Sequence, residues 1–182
     1  MITRNRAILL SLAAAVALAV SASASLAQEP EPSYSPDGAW FATAYMGGGQ
    51  TLPFMDIYTS NPTTQGRSGT VLCTLSVPAF VTPYGKLNML PGGHGNWIRT
   101  AKNTFAFTVW RILIDEDPTN QVPDGAAMGT VKFWGTITAT GPDTFVGTMN
   151  AQYYGPDGQL FLTLPSFTTA GTRIAVQLEE PD

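Results

Sequence analysis

Apolar and polar side chains alternate one by one through much of this chain, and no segment keeps the 3.6-residue spacing of a helix. The alternation is clearest from Gly129 to Leu164. It predicts three antiparallel strands, 129–140, 144–154 and 159–164. The turns between them read Gly141-Pro142-Asp143 and Gly155-Pro156-Asp157-Gly158, residues that supply the φ angles and local side-chain bonds of tight turns. Pairing Thr140 with Thr144 sets Ile137 opposite Gly147, Gly135 opposite Met149, Phe133 opposite Ala151 and Val131 opposite Tyr153. Across the second turn, Tyr153 meets Leu160, Ala151 meets Leu162 and Met149 meets Leu164. These positions share one face, nearly all of it apolar. Lys132, Thr136, Thr138, Thr148, Asn150, Gln152 and Thr163 share the other. Such a sheet must cover its apolar face.

The same reading upstream predicts strands over 38–46, 54–60, 69–76, 96–101 and 104–114, with long Pro- and Gly-containing loops over 77–95 and 115–127. Segment 166–177 has strand composition too, either continuing the last strand past Pro165 or turning back as a ninth. Eight sequential strands with mostly short turns form an antiparallel meander. Its simplest closed form is an eight-stranded up-and-down barrel, with a β-sandwich as the alternative. In a meander, alternate connections share an end. The two longest loops and the triple glycine Gly47–Gly49 therefore gather at one end, the expected mouth, and the tightest turns at the floor.

The chain's beginning reads differently. Arg4 and Arg6 precede an apolar run, 7–20, and then small residues ending at Ala27, the pattern of a secretory signal. The expected division is a signal over 1–27, a loose leader over 28–37, a barrel over 38–177 and an acidic tail over 178–182. The expected location is secreted or periplasmic, with no membrane-spanning segment after signal removal. The processed chain would hold seven basic residues against thirteen acidic ones, which argues against nucleic acid or an anionic membrane as partner. Cys73 is the only cysteine, so no internal disulfide forms. Among Val71, Leu72 and Leu75 it reads as a small buried hydrophobe. One His and one Cys cannot build a zinc or copper site, so no metal is expected. Asp115-Glu116-Asp117 lacks calcium-loop spacing and reads as a solvated loop. G-x-S-x-G, H-E-x-x-H and phosphate-cradling glycine loops are all missing, so no cofactor is expected either.

The candidate chemistry is sparse. His94, the only histidine, sits among Gly92, Gly93 and Gly95 at the entrance to the 96–101 strand. That places it in the mouth as a general acid/base, or as an ordinary solvated loop residue. Pairing Thr100 with Phe105 and Ile98 with Phe107 gives an interior face of Ile98, Phe105, Phe107 and Val109, with Arg111 one step nearer the mouth. An inward guanidinium needs a partner, such as Asp56 or an anionic or phenolic ligand. A twist in the strand would leave it solvated, and the opposite parity would put Trp97, Arg99, Thr108 and Trp110 inside. Tyr153 is an interior phenol near the mouth, and Phe133 and Met149 share its face. Leu87, Met89 and Leu90 in the long loop form either an adaptable apolar lid or a plug. The candidate catalytic set is thus His94, Tyr153 and Asp56. The candidate ligand-binding set is Arg111, Val109, Phe133, Met149, Tyr153, Leu87 and Met89.

Gly38-Ala39-Trp40 at the start of the first strand resembles the G-x-W motif of the lipocalins and wider calycin barrels. The resemblance implies that Trp40 packs at the closed end beneath a late-strand Arg, a role Arg173 offers. It also implies a mouth built from alternate loops. The second lipocalin motif around T-D-Y and the helix after the last strand are missing. Gly93-His94-Gly95-Asn96-Trp97 followed by Thr104-Phe105-Ala106-Phe107 is similar to small secreted bacterial proteins of unassigned function. Dirigent and allene-oxide-cyclase-like barrels share the general architecture. Three readings follow. The first is a secreted barrel binding a small, largely apolar molecule, aromatic or carboxylate-bearing, at its open end. The second is a cofactor-free lyase, isomerase or cyclase using His94. The third is a filled, structural envelope module. Homo-oligomers through the Thr-rich outer face fit any of them.

Overall fold

The computed structural model describes residues 33–75, 79–117, 119, 123 and 125–175. Contacts divide the chain into residues 1–33 and 34–182, and the second unit holds every strand among the described residues. The expected signal and the acidic tail lie outside the described residues. The strands are β1 Gly38–Tyr45, β2 Thr51–Ser60, β3 Ser68–Leu75, β4 Phe80–Thr82, β5 Gly85–Met89, β6 Gly92–Ala101, β7 Thr104–Asp115, β8 Ala127–Ala139, β9 Thr144–Tyr154 and β10 Leu160–Arg173.

Eight of them close a barrel in the order β1–β2–β3–β6–β7–β8–β9–β10 and back to β1, every neighbour antiparallel. This is the barrel the alternation predicts, and closure leaves no long edge to aggregate. No described helix is long and apolar enough to cross a membrane. The β8–β9 register is the expected one, with Val131 on Tyr153, Phe133 on Ala151, Gly135 on Met149 and Ile137 on Gly147.

One open alternative is settled and four expectations change. Of segment 166–177, residues 166–173 extend the last strand as β10, and 176–177 lie outside the described residues. β10 slips register between Leu160 and Leu162 and again between Leu164 and Phe167. Leu162 therefore pairs with Tyr153, Leu164 with Ala151 and Phe167 with Met149. Leu160 and Leu162 face outward, and Phe167 takes the core position. β6 begins at Gly92, not at residue 96, so His94 belongs to a strand. A shift between Arg99 and Ala101 moves the β6–β7 register by one: Trp97 meets Phe107 and is buried, while Ile98 is 55% exposed. Finally, the long 77–95 loop contains the hairpin β4–β5. Its second strand adds onto β7 beyond the end of β6, pairing Leu87 with Asp115 and Met89 with Leu113.

The floor is built as the Trp–Arg resemblance implies. Trp40 is buried, and its indole N–H donates to the Pro36 carbonyl at 2.7 Å. The Arg173 guanidinium lies 4.4 Å from the Trp40 ring centroid. It donates to the carbonyls of Asp37, Ser35 and Pro142, and pairs with Asp143 at 3.2 Å. One side chain thus ties the entry segment, the 141–143 turn and β10 together. Arg173→Gln is expected to lose about 1–2 kcal/mol in a urea titration, because charge-assisted bonds to part-buried and exposed carbonyls are broken. An unchanged midpoint would show that the floor holds without it.

Candidate functional site

β2 and β3 carry the unusual side chains of the interior. Inward positions of β2 are Phe54, Asp56 and Tyr58, and those of β3 are Val71, Cys73 and Leu75. Asp56 and Cys73 are direct cross-strand neighbours. Asp56 is 3% exposed and accepts a hydrogen bond from the Tyr58 hydroxyl at 2.9 Å on Oδ2. Its Oδ1 is buried and has no partner among the described residues. Burial in this apolar wall raises the Asp56 carboxyl to about 6, although the neighbouring Cys73 thiol, the Tyr58 hydrogen bond and the charge of Arg111 all pull it down. Burial likewise pushes the Cys73 thiol and the Tyr58 phenol well up, with Asp56 adding to both, so each stays protonated.

Asp56 and Cys73 face a cavity otherwise lined by Phe54, Phe107, Val109, Phe133, Met149 and Phe167, among other apolar groups. Its volume is about 20 Å³, room for about one water-sized molecule. The polar cluster therefore meets an interior that is nearly filled.

Arg111 sits above this cavity, toward the mouth, on the inward face of β7 with Phe105, Phe107 and Val109. It is 1% exposed, so the inward reading holds. It makes no ion pair with Asp56. Instead its Nη2 donates to the carbonyls of Leu75, at 2.8 Å, and Pro91, where β3 and β6 separate. Its Nε and Nη1 are buried without partners among the described residues. Burial lowers its pKa, against the opposing pull of Cys73, Asp56 and Tyr153. Gly93 makes this placement feasible, since a Cβ there would come 2.8 Å from both Arg111 Cγ and Val109 Cγ1.

Tyr153 is buried nearer the mouth, edge-on to Phe80 of β4 at 5.6 Å, and burial raises its hydroxyl to about 12. The hairpin covers the open end. Leu87 and Met89 are buried in the core, and Tyr84 at the hairpin's turn packs on Phe161 at 5.2 Å and against Gly155. A Cβ on Gly155 would lie 2.5 Å from the Tyr84 ring, so a larger residue there makes that ring shift.

The structure thus brings together Asp56, Arg111, Tyr153, Val109, Phe133 and Met149 inside, with Leu87 and Met89 as their cover. It does not bring His94 to them. β6 alternation turns Gly93 and Trp97 inward and His94 out to solvent, between Leu72 and Trp110. The expectation of a mouth histidine is corrected because the glycines around it belong to a strand and not to a loop. Tyr58 and the pairing of Cys73 with Asp56 went unrecognised in the sequence. The signal was the i, i+2 run Phe54, Asp56, Tyr58 on one strand face, which buries a carboxylate beside a phenol.

No protein-family model and no curated protein matches the chain. Two solved structures are among those similar to the chain. One is a redesigned beta barrel, b11L5F_LGL, 14% identical, covering 77% of this chain and 91% of its own at a TM-score of 0.44. The other is EF1p2_mFAP2b bound to DFHBI, 18% identical, covering 75% of this chain and 90% of its own, also at 0.44.

Proposed function

We propose that the barrel interior binds one small, largely apolar molecule whose polar head bonds Asp56, with Arg111 and Tyr153 nearer the entrance. The observation that carries this reading is the unpartnered, buried Asp56 oxygen on an apolar cavity wall. A barrel that served only as a filled scaffold would be as stable, or more so, with an apolar residue there, because an unpaired buried carboxylate costs several kcal/mol. The aromatic and methionine lining suits a flat apolar body, and Met149 is the flexible side chain of that lining.

Entry requires the hairpin to move. β5 is joined to β7 through three residue pairs, far fewer than join β7 to β8, so it parts from β7 more easily than β8 does. Native mass spectrometry of the protein from its own host, followed by denaturation, tests the reading. A single small molecule released stoichiometrically by the wild type and missing from Asp56→Leu is the expected result. Ligand-free wild-type protein, or retention by Asp56→Leu, would overturn it.

A further inference from the structure

The outer wall of β7–β9 carries an aromatic cluster that the interior site does not use. Trp110 of β7 is 45% exposed, and its ring centroid lies 5.7 Å from that of Tyr154 on β9. Their two strands are separated by β8, a distance of roughly 9.6 Å at ordinary strand spacing. The rings therefore lean toward each other along the wall and do not stand off it. Between the indoles sits Lys132 of β8, its ammonium 5.7 Å from the Trp110 centroid and 5.2 Å from that of Trp134. Gln152, which accepts from the Tyr154 hydroxyl, pairs with Lys132, and Asn150 pairs with Trp134. His94 stands exposed opposite Trp110 on the other side. In a chain of net charge −4, the outward side chains of β6–β9 include Lys132 and His94 and no carboxylate; Asp115, the one acid in these strands, is fully buried.

We infer that this wall binds an acidic polysaccharide. A sugar ring presents weakly positive C–H bonds on its face, which suit the negative face of an indole, and hydroxyls at its edge, which suit amide and phenol side chains. A uronate on the chain supplies the negative charge that Lys132 and the acid-free wall select. A protein partner would find its apolar contact elsewhere, on the uncharged outer face of Phe41, Met55 and Ile57.

Isothermal titration at low and at physiological salt, with polygalacturonate and with neutral dextran, tests this on the whole protein. Binding of polygalacturonate but not dextran, weakening with salt, is expected. Trp110→Ala should weaken it at least about tenfold, as loss of an aromatic anchor does. Lys132→Gln should remove most of its salt dependence. Asp56→Leu should leave it unchanged, which separates the wall from the interior site. Absence of polygalacturonate binding, equal binding of dextran, or full affinity in a Trp110→Ala variant with a wild-type melting temperature would overturn the inference.

Discussion

Asp56→Asn is expected to gain about 2 kcal/mol on the wild type when unfolding is compared between pH 4 and pH 7. The sign follows from where the proton sits. An unfolded Asp56 ionises near 3.8, whereas the folded carboxyl holds its proton to about 6. Between those values the native state binds a proton that the unfolded state has lost, so wild-type stability falls as pH rises and levels off above about 6. A shift of this size is worth about 3 kcal/mol in full at 1.36 kcal/mol per unit, of which roughly 2 falls between pH 4 and pH 7, because the unfolded carboxyl is already more than half ionised at pH 4. For a domain of this length the part within that window is roughly 4–8 °C in melting temperature. The asparagine variant cannot titrate and should lack this component. Any fixed cost of its amide, beside the Tyr58 hydroxyl and Cys73, is the same at both pH values and cancels in the comparison. Every other carboxylate cancels too, since both proteins contain them. Chemical denaturation of the two proteins at each pH gives the four numbers. Equal pH slopes would mean that Asp56 titrates as an ordinary solvated carboxyl, and the buried-carboxylate basis of the interior site would fall with it. A bound molecule that donates to Oδ1 should pull the folded value back down, so saturating ligand should flatten the wild-type slope as well.

The alternation of Val131, Phe133, Gly135 and Ile137 against Tyr153, Ala151, Met149 and Gly147 was legible because a tight turn fixes register and period-2 burial fixes the face. Legibility ended wherever an extra residue entered a strand. Nothing in Arg99-Thr100-Ala101 announces the slip that turns Trp97 inward and Ile98 outward, since a bulge is chosen by the curvature of the closed barrel and not by the residues in it. The same holds for Leu164–Phe167, where Pro165 hinted at an interruption but not at its size. Arg111 was placed correctly because its parity comes from β7, a strand without slips through residue 113. His94 was misplaced for a reason of composition. Three glycines read as a loop, yet in a tightly coiled barrel glycine is also the residue of strands that approach closely. The Asp56–Cys73 contact was hidden because it needs the β2–β3 register, which the 61–67 loop does not reveal.

Gly95→Ala is expected to cost at least about 3 kcal/mol, well beyond an ordinary glycine-to-alanine change in a strand. Gly95 lies on β6 between Gly93 and Trp97 and pairs with Val109 of β7 and Val71 of β3. A Cβ at this position would run into the Thr108 carbonyl, which is backbone of the neighbouring strand and cannot rotate away as a side chain can. Its φ is not the constraint; the closeness of β6 to β7 is. Barrel closure draws the two strands together here, just above the buried Trp97–Phe107 pair, and only hydrogen fits between them. Gly92→Ala is the matched control. It is exposed, three residues away on the same strand, with no atom near the position of its added methyl, and should stay within about 0.5 kcal/mol of the wild type. Equilibrium unfolding of both variants measures the difference, and hydrogen exchange of the Thr108 and Val109 amides locates it. If Gly95→Ala unfolds like Gly92→Ala, the two strands lie farther apart than their carbonyl contact implies. If it loses the expected stability, the parting of β6 from β7 opens the wall beside Phe107 and Val109, both of which line the cavity. Interior binding should then weaken together with the fold, while the outer platform of Trp110, Lys132 and Trp134 persists for as long as β7 and β8 stay paired.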